Sequence, residues 1–100
     1  MKLILIDSES IEFNNENELS LIIPSGIQGR VINYGQGKGQ VEINNTVWGV
    51  YVNNDNNYCM SLEQGLIQWK DLNKLVKEIK NTINKQFNIN IIVVVEGHYN

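Results

Sequence analysis

Hydrophobic positions change period once along this chain, and the change falls near Gly65. Before it apolar residues alternate or run in short blocks; after it they recur at helical spacing. Residues 3–6, Leu-Ile-Leu-Ile, predict a strand closed by Asp7-Ser8. They are not read as a secretion signal, because acidic residues follow and no small-residue cleavage site does. Residues 8–17 are polar except for Ile11 and Phe13, which form one small strand or pin a loop. Residues 18–23 read as a strand stopped by Pro24-Ser25-Gly26, since proline cannot donate to a ladder and glycine permits the turn.

Two alternating runs follow, 30–34 and 40–44, separated by Gly35-Gln36-Gly37-Lys38-Gly39, and together they predict a hairpin. Residues 46–53 load both faces, with Val47 and Tyr51 on one and Trp48, Val50 and Val52 on the other, so a central strand covered on each side is expected. Asn53-Asn54-Asp55-Asn56-Asn57 turns the chain, and 58–62 returns.

Leu72, Leu75, Val76, Ile79, Ile83 and Phe87 then mark one face of a helix over 68–86. Asp71 suits the positive end of its dipole and Lys85 the negative end. Ile89 and 91–95 close the pattern. Val93-Val94-Val95 is β-branched and apolar on both faces, which predicts a strand inside the sheet or pairing near its middle. The fold class is α+β. One domain over 1–100 is expected, an antiparallel β-meander of about six strands packed by one long C-terminal amphipathic helix and followed by a final strand.

Charge adds a second pattern. Asp7, Glu9, Glu12, Glu16 and Glu18 stand together with no cation between Lys2 and Arg30, whereas Lys70, Lys74, Lys77, Lys80 and Lys85 share the helix. Residues 1–66 therefore carry −5 and residues 67–100 carry +2, within a formal net charge of −3. That balance argues against a dedicated nucleic-acid binder, whose affinity would come from neutralising phosphates. Sixteen asparagines suit turns and left-handed backbone. A lone cysteine fits a reducing compartment, and without an apolar stretch near eighteen residues no membrane span is expected, so the cytoplasm is the expected location.

The usual sets of catalytic residues are thin. Gly35-Gln36-Gly37-Lys38-Gly39 lacks P-loop spacing and the following helix, and reads as a hairpin turn. His98 lies two residues after Glu96, on the same face of a strand, but near the end of the sequence and with no identifiable nucleophile. Cys59 has no nearby cation in the sequence to lower its pKa and reads as a sheet or core position. The lysine stripe reads as a solvated helix face, having no arginine or exposed aromatic beside it to stack bases. Trp48 and Trp69 read as core, and Gly49 as room for a ring or a backbone to approach. No catalytic residue, metal site or cofactor is expected.

The strand and turn Trp48-Gly49-Val50-Tyr51-Val52-Asn53-Asn54-Asp55, then Gly65-Leu66-Ile67-Gln68-Trp69 leading into an amphipathic helix, resemble the small immunity proteins of bacterial polymorphic and contact-dependent growth-inhibition toxin systems. The resemblance covers residues 46–87 and carries no fixed binding motif. It implies a non-enzymatic cytoplasmic protein that blocks a cognate toxin domain, often a nuclease. The charge pattern makes Asp7, Glu9, Glu12, Glu16, Glu18, Asp55 and Glu63, with Tyr51, the expected docking surface for a basic partner, with no direct nucleic-acid or membrane contact. Two alternatives stay open: a phage-type inhibitor that mimics nucleic acid, and a homodimeric binding module paired through an exposed strand edge.

Overall fold

A computed structural model describes residues 1–7 and 11–96. Eight elements follow one another: β1 (Lys2–Asp7), α1 (Glu16–Ser20), β2 (Gly29–Gly35), β3 (Lys38–Ile43), β4 (Thr46–Val52), β5 (Tyr58–Gln64), α2 (Trp69–Phe87) and β6 (Ile91–Glu96). The strands form one antiparallel sheet in the order β2-β3-β4-β5-β1-β6. The expected meander is β2 to β5, and the α+β class with a final strand after the long helix holds.

Turn chemistry fixes the meander. Gln36 and Gly37 both have positive φ, as do Asn44 and Asn45. These are the mirror-image two-residue turns whose twist matches that of paired strands. Asn56 and Asn88 also adopt positive φ, Asn88 as the left-handed cap of α2. Part of the asparagine excess is thus conformational.

Strand alternation sends Val41, Ile43, Trp48, Val50, Met60, Leu3, Leu5 and Ile91 to one face. There Leu72, Leu75, Ile79 and Ile83 of α2 close the core with Leu19, Ile22, Ile11 and Phe13. Trp48 is fully buried, and its indole Nε1 donates to Thr46 Oγ1 at 2.7 Å, whose hydroxyl in turn donates to the Ile43 carbonyl at 2.5 Å. The one polar group of the largest core side chain is therefore satisfied, as burial requires.

Three expectations are corrected. Residues 18–23 are not a strand. Asn15 accepts from the Glu18 N–H at 3.0 Å while the Glu18 carboxylate accepts from the Asn14 N–H at 2.8 Å, a close variant of a capping box. It starts α1, which lays Leu19 and then Ile22 on the core. Second, β4 lies inside the sheet but only one of its faces is covered by helices; Tyr51 and Val47 on the other are half-buried. Third, β6 is not internal. It pairs with β1 alone and forms an edge, and β1 is the strand enclosed between β5 and β6. In addition Trp69, expected in the core with Trp48, is 47% exposed at the start of α2.

Candidate functional site

Residues 11–14 cross one end of the sheet, held by Phe13. Its ring meets Tyr58 edge-on at 5.6 Å between centroids and Phe87 at 5.9 Å, and its carbonyl accepts the Tyr34 hydroxyl. Edge-to-face pairs of this kind favour one geometry beyond their buried area. Glu12, Phe13, Asn14, Tyr34, Gly37, Val52 and Tyr58 line a shallow hollow of about 340 Å³. The 53–57 turn joins Val52 to Tyr58, so Asp55 belongs to the same end. Burial raises the Tyr58 phenol above its usual 10.0, and the Glu12 carboxylate and Tyr34 add to the effect.

The expected docking residues divide. Glu12, Glu16 and Asp55 are exposed around this end, and Glu18 is half-buried with its carboxylate committed to the α1 cap. Glu63 and Tyr51 lie on the opposite, helix-free face of the sheet. There the Glu63 carboxylate accepts from Gln40 Nε2 at 2.6 Å and spans β4 above Gly49, where a Cβ would collide with it. The space at Gly49 is thus filled by Glu63. Asp7 sits at the end of β1, but its side chain lies outside the described residues, as does the whole of Glu9.

The lysines run along the solvent side of α2, all five exposed. The lysine-bearing helix meets the acidic end where Phe13 packs on Phe87, two residues beyond Lys85. Even so, the single ion pair among the described residues is Arg30–Glu42 at 3.4 Å on the helix-free face. Lys38 also reaches the acidic end, at the start of β3.

At the far end of α2 a groove of about 560 Å³ runs between the helix and the 25–28 and 43–46 segments, with Ile27, Ile67 and Leu75 on its floor and Asp71, Lys74 and Glu78 on its rim. Leu66 beside it is 96% exposed. Nothing in the sequence patterning distinguished this leucine; its place between Gly65 at φ 93 and the first turn of α2 turns it outward.

Chemically reactive groups are scarce among the described residues. No cluster of three or more His, Cys, Asp or Glu side chains suited to a metal ion occurs among the described residues. Cys59 is fully buried on the helix-free side of the sheet; burial raises its thiol above 9.0, Glu96 adds to this, and Lys2 and Asn53 only partly oppose it. A thiol held protonated is a poor nucleophile. The Glu96/His98 pair cannot be assembled here, because His98 lies outside the described residues. Among the described residues no helix is long and apolar enough to cross a membrane. Compared with known proteins, the chain matches no family model, and no curated protein or solved structure is significantly similar to it.

Proposed function

We propose that this protein is a non-enzymatic binding protein of the immunity type, which blocks a cationic toxin domain by docking its acidic end on it. The supporting observation is that Glu12, Glu16 and Asp55 stand exposed at one end of the sheet without an ion-pair partner among the described residues, on a framework fixed by Phe13, Tyr34 and Tyr58. Unpaired carboxylates on an ordered support attract a basic surface from a distance and need little rearrangement on contact. The partner in this reading is a basic, nuclease-like protein domain in the cytoplasm, and no cofactor takes part.

Glu18, Glu42 and Glu63 already have intramolecular partners. That leaves few free carboxylates for the extended double row a nucleic-acid mimic requires, and favours a protein partner.

The test is association with a purified basic nuclease domain, the product of an adjoining gene where that gene encodes one, followed by stopped flow at low and high salt. Glu12→Lys, Glu16→Lys and Asp55→Lys together should slow association several-fold at low salt and have little effect at high salt. Glu18 is left intact because it caps α1. Unchanged association would remove the acidic end as the docking site.

One observation favours a second docking site. Leu66 stands almost wholly clear of the protein beside the apolar-floored groove, as an interface anchor would. A loss of affinity in Leu66→Asp, with the acidic variants unaffected, would move the docking site to that end.

A further inference from the structure

We infer that β6 is a pairing edge for a second copy of this chain, which joins two sheets into one continuous antiparallel sheet about a twofold axis at Val93. The inference does not depend on the toxin-binding reading. β6 has the composition of an enclosed strand, Ile-Ile-Val-Val-Val, yet it is the last strand of its sheet. On the helix-free face Ile92 is 62% exposed and Val94 37%, beside the apolar Ile4 and Ile6 of β1.

Hydrogen-bond directions define the register. The Leu62 N–H donates to the Met1 carbonyl at 3.0 Å, so Met1, Leu3 and Leu5 turn their backbone groups toward β5, and Lys2, Ile4 and Ile6 turn theirs toward β6. Their β6 partners are Glu96, Val94 and Ile92. Ile91, Val93 and Val95 consequently present N–H and C=O to the open side. Independently, the Ile91 N–H is taken by Asn84 Oδ1 at 3.1 Å, which places that group away from β1. Val93 and Val95 have no such cover among the described residues.

Self-pairing needs hydrogen-bonding residues opposite one another. Centring on Val93 lets each Val93 exchange both bonds with its mate and each Val95 N–H reach the Ile91 carbonyl of the second copy, while Asn84 keeps the Ile91 N–H. The same register sets Ile92 opposite Val94 of the second copy in the non-hydrogen-bonded positions, where side chains approach most closely. Every residue from 91 to 95 then meets an apolar residue, and Glu96 falls outside the paired stretch. An edge of six residues is roughly 20 Å long. That places the contact at the small end of specific interfaces, so dimerisation should depend on concentration.

Sedimentation of the full chain from micromolar to millimolar concentration tests this. The mass should rise from 11.4 kDa toward twice that value. Ile92→Lys with Val94→Lys should remain monomeric with unchanged circular dichroism. If that variant does not fold, a filtered NMR experiment on a mixture of labelled and unlabelled wild type replaces it, and contacts between the Val93 methyls of two copies are expected. A wild type that stays monomeric throughout, a dimer that survives both lysines, or a dimer lacking the Val93 contacts would each overturn the proposal.

Discussion

The two edges of the sheet are built to opposite rules. β2 begins and ends in glycine, carries Arg30 and Asn33, and breaks its register with β3 at Ile32. Bulges, charge and irregularity are the usual means of keeping an edge from recruiting a strand. β6 has none of these between Ile91 and Val95: its register with β1 is unbroken and its side chains are all apolar. Since both edges belong to one small sheet, solubility alone would have guarded both. The contrast teaches that an edge is also a binding surface, and that here only one has been closed.

The strongest perturbation should reach both edges through the core they share. Thr46→Val leaves the buried Trp48 Nε1 without an acceptor and should cost about 1–3 kcal/mol in urea unfolding, with amides of β2 and β6 loosened together. Protection lost at one edge alone would mean that the two halves unfold separately. A more selective change is Asn84→Ala, which removes the side chain that covers the Ile91 N–H. It should destabilise by about 1 kcal/mol and increase exchange in β6 but not in β2.

At the guarded edge the sign reverses. Gln36 holds φ 52 in the β2–β3 turn, a conformation in which glycine is unstrained. Gln36→Gly should stabilise by up to about 1 kcal/mol and leave the oligomeric state unchanged.

The smallest effect comes from the sheet interior. Tyr58 and Cys59 both have pKa values raised on folding, so their neutral forms are favoured in the native state. Their contribution is complete below the unfolded values of 10.0 and 9.0 and is lost as pH rises through the higher folded values. Stability should therefore decline in alkali from about pH 9 upward, as a 295 nm titration run beside denaturation would show.

Much of this architecture was legible in the sequence. The hairpin at 35–39, the return strand at 58–62 and the stripe from Leu72 to Phe87 announce themselves because turn residues and side-chain period are local properties. The strand expected at 18–23 failed because Leu19, Ile22 and Ile23 fit either period. The deciding signal was the pair Asn15 and Glu18 at capping-box spacing. β6 was misplaced for a different reason: an all-apolar run does not record whether a strand is paired along both of its edges. The acidic cluster was visible as charge, yet only folding showed that Glu12 and Asp55 share an end while Glu63 and Tyr51 lie on another face. Leu66 left no trace in the pattern at all.

The most direct test of unequal edges is residue-resolved amide exchange of the wild-type chain at low and high concentration. The account predicts that Val93 and Val95 amides gain protection as concentration rises, while the Val31 amide of β2, which the bond from the Asn44 N–H to the Gln28 carbonyl sets on the open side by alternation, exchanges at the same rate throughout. Equal exchange at both edges, independent of concentration, would contradict it.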